Sequence, residues 1–226
     1  MFRDPHLSAS LRSLGTEVLG LLLAACCAGC GAPEVILCDA CRGELSAAPI
    51  DLRTPGGLAV RAALPFDGVR ARCVRRLKDD GETLLVRPLG AALAAAIARS
   101  PVPSAALVPV PSAALVPVPT SRRSMRRRGF SVPEVLIRGT GHRPLRVLST
   151  VPGRRDQRGL DVADRAANVR GSMRARSGSD GREVIVVDDV MTTGATLDEA
   201  ATTLARAGYR VSSAVVLAAT PRHSEP

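Results

Sequence analysis

Val184 to Val187 is an unbroken apolar run of β-branched residues that meets two carboxylates, Asp188 and Asp189, and then a small-residue loop from Met191 to Thr196. Apolar positions in a row, without polar alternation, describe a strand buried on both faces. Thr196 to Ala207 follows as a helix and Val211 to Ala218 as a second apolar strand. Strand, helix and strand on short connections predict a βαβ unit with a right-handed crossover, in an α/β fold whose helices flank a mostly parallel sheet. In such sheets ligands bind beyond the carboxyl ends of the strands.

Upstream the pattern is more mixed. Val69 to Leu77 reads as β-like, Asp79-Asp80-Gly81 as a turn, and Glu82 to Arg99 as an Ala- and Leu-rich helix in which Pro88 marks a start or a kink. Pro103 to Val110 and Pro111 to Val118 both read PSAALVPV. The unit is too short and too rarely repeated for a solenoid, so one copy is expected in the sheet and the other in a surface loop. The second copy adjoins the downstream motif and is the better candidate for the strand. Apolar Val147-Leu148 precedes a polar, Arg-rich stretch that reaches Arg182.

Five of the six cysteines, Cys26, Cys27, Cys30, Cys38 and Cys41, crowd one segment with Gly29, Gly31 and Pro33. Cys27 and Cys30 form one CxxC pair, Cys38 and Cys41 another, and four thiolates so spaced satisfy a tetrahedral zinc ion with no position left for water. The expected metal is therefore structural. Cys26 is an alternative ligand, and Cys73 reads as a buried small residue. Ahead of the cysteines Val18 to Ala25 is apolar, Arg3 and Arg12 precede it, and Leu23-Ala24-Ala25-Cys26 has the form of a lipoprotein cleavage box. Glu17 interrupts the apolar run, Asp4 sits among the basic residues, and the stretch is too short to span a bilayer. The favoured reading is a short helix leading into the metal module of a cytoplasmic protein, where paired cysteines are ligands more often than disulfides. The chain is thereby expected to divide into a helical lead over 1–25, a four-cysteine zinc module over 26–46, a Pro/Gly/Ala-rich linker from Ala47 to Gly57, and a main domain over 58–226.

Composition refines this picture at two points. Hydrophobic residues make up 46% of the 226 and the mean hydropathy is +0.12, enough for a real core and against a disordered chain. The formal charge is +10 and Lys78 is the only lysine, so the excess is arginine, which suits phosphate-rich ligands through bidentate hydrogen bonds; a GC-rich coding sequence yields the same bias. Three Phe, one Tyr and no Trp leave the chain without the aromatic platforms on which single-stranded nucleic acid stacks, so any such binding is mostly electrostatic.

The stretch EVIVVDDVMTTGAT, Glu183 to Thr196, carries the chemistry. Gly194 permits backbone conformations closed to other residues. Thr192, Thr193 and Thr196 offer hydroxyls, and the following helix offers free N–H groups and a positive dipole end, so Met191, Thr192, Thr193, Gly194, Ala195 and Thr196 form an anion cradle. Asp188 and Asp189 would repel a phosphate but accept hydrogen bonds from vicinal ribose hydroxyls, with Mg²⁺ offsetting the nearby negative charge. A phosphate nest beside an acidic pair describes a ribose 5-phosphate site.

These residues resemble the phosphoribosyl pyrophosphate motif of the type I phosphoribosyltransferases. The chain is similar, more closely, to the ComF family, which joins that fold to an N-terminal four-cysteine segment. CAGCG and CDAC, Leu77-Lys78-Asp79, VPVP at Val116 to Pro119, RRRGF ending at Phe130, and RRDQRGL with Arg165 and Asn168 carry this likeness across most of the chain. It implies a type I phosphoribosyltransferase-like sheet with a small zinc-ribbon-like module, binding phosphoribosyl pyrophosphate with Mg²⁺. It also implies that VPVP leads into a loop facing pyrophosphate, with Arg122, Arg123, Arg126, Arg127, Arg128 and Gly129 nearby, and that Arg154, Arg155, Asp156 and Gln157 belong to a mobile loop closing over the ligand. Pyrophosphate would leave the ribose C1 and a nitrogen nucleophile would attack, the protein orienting the partners without any assigned catalytic acid or base. The family's link with natural competence suggests an alternative, an accessory role in DNA uptake with phosphoribosyl pyrophosphate or single-stranded DNA as ligand. The acceptor and the oligomeric state, a homodimer included, stay open.

Overall fold

The computed structural model describes residues 26–98, 113–151, 169–177 and 181–220. The N-terminal lead, the first copy of the octapeptide, the stretch from Arg154 to Gln157, and Arg165 and Asn168 lie outside them.

The central sheet has the order β1-β2-β7-β6-β3 and is parallel throughout except at its edge strand β1. Its strands are β1 (Ile50–Arg53), β2 (Ala59–Pro65), β3 (Ala114–Pro117), β6 (Glu183–Met191) and β7 (Arg210–Ala219). Alternate residues of β6 serve opposite faces. Ile185 and Val187 pack with Leu115, Val215 and Leu217 against α3 (Val86–Ala98) and α5 (Val132–Gly139), through Leu89, Leu93, Leu136 and Ile137. Val184 and Val186 pack with Val60, Val116 and Val216 against α6 (Ala195–Arg206), through Leu197, Ala200 and Leu204. This is the mostly parallel α/β sheet flanked by helices that the apolar pattern predicts, and the second octapeptide copy supplies β3.

Glycine fixes how closely α3 and α5 approach. A Cβ on Gly90 would lie 2.9 Å from the carbonyl carbon of Gly139, so neither helix tolerates a side chain at the crossing. Pro88 sits in the first turn of α3, where a missing N–H costs nothing.

Several expectations need correction. Val69 to Leu77 is not β-like. It forms α2 (Gly68–Arg75), which runs into a five-residue π turn, Arg76–Asp80, ended by Gly81 at φ 77°. The alternation of Val69, Ala71 and Cys73 imitates a strand, but the buried set Ala71, Val74 and Leu77 recurs every third residue, a helical stripe. The stretch read as a linker contains β1, which pairs antiparallel with β2 from Ile50↔Ala62 to Arg53↔Ala59. Within the Arg-rich stretch, β4 (Leu148–Thr150) and β5 (Met173–Ala175) make a small antiparallel ladder that the sequence pattern does not announce. Finally β6 does not stop at the carboxylates. It continues to Met191, because β7 offers ladder partners as far as Val190↔Ala218 and Met191↔Ala219.

The cysteine segment packs on the core beneath the sheet. Its short helix α1 (Asp39–Glu44) and the Cys27–Leu37 loop contribute Cys27, Ala28, Leu37, Cys41 and Leu45 to the same core cluster as Leu64, Cys73, Val74, Leu77 and Leu217.

Candidate functional site

On the β7 side both aspartates remain within the ladder, but β3 ends at Pro117, and the last bond across that side runs from the Val118 N–H to the Val187 carbonyl at 2.8 Å. The chain leaving β3 goes to α5 on one face, and the chain leaving β6 goes to α6 on the other. Adjacent parallel strands whose connections diverge in this way open a crevice at their carboxyl ends. Asp188 and Asp189 stand at that opening.

Their local geometry is tight. Asp188 Oδ1 accepts the Asp189 N–H at 2.8 Å, and Asp189 Oδ1 accepts the Val190 N–H at 2.8 Å. Asp188 is half-buried and Asp189 only 8% exposed. Burial, then the neighbouring charge of Asp189, pushes the Asp188 carboxyl well above the usual carboxylate range. Asp189 Oδ2 meets Lys78 Nζ at 2.9 Å.

Met191 and Gly194 are buried, Thr192 is exposed, and Thr193, Ala195 and Thr196 are half-buried. Gly194 adopts φ 85° and caps α6, while the Thr193 hydroxyl accepts the Ala195 N–H at 3.4 Å. Leu197 and Asp198 already donate to the Gly194 carbonyl, at 3.0 and 3.1 Å, which leaves the Thr196 N–H as the first-turn donor without a partner among the described residues, and a free N–H at a helix start suits an anion. A brace missed by sequence reasoning holds this turn. Thr54 Oγ1 donates to Asp198 Oδ1, the Gly56 N–H reaches Asp198 Oδ2 at 2.9 Å, and a Cβ on Gly194 would touch Thr54 Cγ2 at 3.0 Å. No local motif signals a contact spanning 144 positions.

The arginines are not in a loop. Arg122–Arg128 form α4, capped at its start by Ser121 and at its end by Gly129 at φ 79°. Arg122 and Arg123 are exposed and have no ion-pair partner among the described residues. Arg127 pairs with Asp79 at 3.0 Å, and Arg128 Nη1 donates to the Lys78 carbonyl at 2.8 Å, so α4 clamps the π turn. The buried Nε of Arg128 has no partner among the described residues.

The four cysteines of the two CxxC pairs converge. All four Sγ atoms of Cys27, Cys30, Cys38 and Cys41 lie within 4.8 Å of one another, and the Cys27–Cys38 and Cys30–Cys38 separations are 3.7 Å. A zinc tetrahedron with bonds of ~2.3 Å has edges of about 3.8 Å, so the set fits that ion. Burial opposes ionisation of Cys27, yet N–H groups of Cys38, Cys30 and Gly29 lower its thiol to about 6. Burial first, then Cys38, raises Cys41. Gly29 is required by space, since its Cβ would come 2.6 Å from Cys41 Sγ. Cys26 is exposed, and Cys73 is buried in the core, its thiol raised to about 11 by burial.

A cavity of about 350 Å³ lies elsewhere, lined by Asp51, Leu52, Arg53, Ala59, Val60, Arg61 and Ser213. It opens on the amino-terminal half of β2 and on β1, and includes neither the doublet nor the turn.

A mostly parallel α/β sheet with an acidic doublet and a glycine turn at the carboxyl end of β6 has the arrangement of a nucleotide- or sugar-phosphate-binding class. The phosphoribosyl transferase domain family matches residues 87–226, more than half of the chain, and the chain belongs to that family. At the family level the activity is phosphoribosyl transfer from phosphoribosyl pyrophosphate. No curated protein matches the chain. The family match begins at Arg87, so the cysteine segment, α2 and Lys78 precede it. Among the described residues no helix is long and apolar enough to cross a membrane.

Proposed function

We propose that the chain binds phosphoribosyl pyrophosphate at the crevice between β3 and β6 and moves its phosphoribosyl group to a nitrogenous acceptor. The observation that carries this reading is the placement, at one strand end, of an acidic doublet beside a helix-capping turn. Asp188 and Asp189 accept the ribose hydroxyls, and Met191 to Thr196 hold the 5-phosphate with backbone N–H groups and threonine hydroxyls. Arg122 and Arg123, and the backbone at Gly129, face the pyrophosphate. The C1–oxygen bond breaks, its electrons leave with pyrophosphate, and the acceptor nitrogen supplies the pair for the new bond.

Mg²⁺ suits this site only as a companion of the diphosphate. Lys78 already faces Asp189, and among the described residues the four cysteines are the one cluster of three or more metal-ligating groups. The ion would neutralise the leaving group through the ligand's own oxygens. The cysteine tetrad holds a structural zinc, and joined to the phosphoribosyltransferase fold it supports membership of the ComF family. Calorimetric titration with phosphoribosyl pyrophosphate and Mg²⁺ tests the assignment: binding by wild type should fall at least tenfold in Asp188→Asn/Asp189→Asn, and unchanged binding would refute it.

The exposed Arg122, Arg123 and Arg126 on α4 favour a second reading, an accessory role in DNA uptake. Salt-sensitive binding of single-stranded DNA without pyrophosphate release would select it over transfer.

A further inference from the structure

Two carboxylates on adjacent residues at a half-buried strand end repel one another, and an ionised carboxylate accepts hydroxyl hydrogen bonds more strongly than its protonated form. Some cation has to hold the doublet in that state before any ligand arrives. The charged groups of the surrounding elements are nearly all committed elsewhere. Arg127 of α4 is paired with Asp79, Arg128 with the Lys78 carbonyl, and Asp198 of α6 with the β1–β2 turn. The one described cation in contact with the doublet is Lys78, whose Nζ lies 2.9 Å from Asp189 Oδ2, against a carboxylate side chain only 11% exposed.

Lys78 arrives there by an unusual route. It sits within the π turn Arg76–Asp80, where Leu77 is fully buried in the core and the next side chain faces the strand end. Single π turns are rare and frequently mark functional sites. This one is held from outside by both contacts of α4 and closed by Gly81. It is also the only lysine of a chain that otherwise uses arginine for positive charge. An ammonium is a compact point charge on a flexible stem, able to sit on a single carboxylate oxygen.

We propose that Lys78 is a positioning residue for phosphoribosyl binding, the counter-ion that favours the ionised form of Asp188 and Asp189, the stronger acceptor of the ribose hydroxyls. It acts through the doublet rather than on the reacting atoms, and the role rests on the phosphoribosyl reading of that site. The charges acting on Asp188 are those of Asp189, which raises its carboxyl, and Lys78, which lowers it. Removing the ammonium therefore shifts ionisation of the doublet to higher pH, so the affinity deficit grows as pH falls.

The test uses full-length, zinc-loaded protein with Lys78→Gln, which keeps a hydrogen-bond donor without charge, and Lys78→Arg, which keeps the charge. Carboxyl-carbon NMR of labelled aspartate follows the doublet without ligand, and calorimetry with phosphoribosyl pyrophosphate and Mg²⁺ is run at about pH 6 and about pH 8. Lys78→Gln is expected to move the doublet's titration upward and to bind about tenfold more weakly relative to wild type at the lower pH than at the higher. Lys78→Arg should restore both. An unmoved titration, or an equal loss of affinity at both values, would overturn the proposal, because a scaffold residue or a direct phosphate ligand gives that result. Absence of binding by wild type at either pH defeats the phosphoribosyl reading instead, and the NMR titration still decides whether Lys78 is the doublet's counter-ion.

Discussion

Burial and the charge of Asp189 both raise the Asp188 carboxyl, so the folded chain holds that proton more tightly than the unfolded chain does. As pH rises from the ordinary carboxylate range toward the raised value, the unfolded state releases the proton first and stability falls. Asp188→Asn removes both the repulsion and this slope. The variant is expected to gain on the order of 1 kcal/mol at about pH 8, moving Tm by about 2–4 °C at this chain length, while losing ligand affinity. Thermal unfolding followed across pH checks it, and an Asn variant with the wild-type slope would show that Asp188 is not the group responsible. Gly29 is a second residue whose identity follows from space alone. With Cys41 Sγ 2.6 Å and Val69 Cγ1 2.8 Å from a built Cβ, Gly29→Ala must push the first CxxC pair off its partners. A loss of about 1–3 kcal/mol together with reduced zinc content, read by a colorimetric chelator assay, is the expected outcome.

The elements of the βαβ unit were legible because each carries its own signal. Val184 to Val187 could only be a buried strand, and Gly194 ahead of an amphipathic run marks the start of α6. The second octapeptide copy supplies β3 for a reason visible in the chain, its junction with the basic segment that forms α4. Elements built by tertiary contact were not legible. Ile50–Arg53 looks like linker because Pro49 and Pro55 flank it and its burial is partial, and it becomes a strand only because β2 has an open edge. The turn after it then docks on α6, where buried Thr54 accepts the Leu58 N–H at 3.0 Å and donates to Asp198. Thr54→Val keeps the shape and removes both bonds. It is expected to cost about 1–3 kcal/mol in urea unfolding and to weaken phosphoribosyl pyrophosphate binding, since the Thr54–Asp198 bond ties down the first turn of α6. Lost stability with unchanged affinity would mean that the phosphate turn holds its form without the brace.

At the scale of the whole molecule, the acidic doublet, the phosphate turn and the four thiolates were each readable from local spacing, whereas their connection was not. That connection is a continuous core. Cys27 and Cys41 belong to the cluster that contains Val74 and Leu77, and Arg70 of α2 bonds Glu44 of α1 through both its carboxylate, at 2.7 Å, and its carbonyl, at 2.9 Å. The same α2 runs on into the π turn that carries Lys78 to Asp189. Loss of the metal would leave four thiols, two of them buried, with no ion to hold them at 3.7 Å, and the strain would enter α2 directly. Chelation of zinc is therefore expected to lower the stability of the entire chain, by about 3 kcal/mol or more and Tm by about 6–12 °C, within a single cooperative transition. It should also weaken phosphoribosyl pyrophosphate binding, although no cysteine is assigned to that site. Differential scanning calorimetry before and after chelation separates the alternatives. Two resolved transitions, with the upper one and the ligand affinity both unchanged, would mean that the cysteine segment folds on its own and that the path from α1 through α2 to Lys78 transmits nothing.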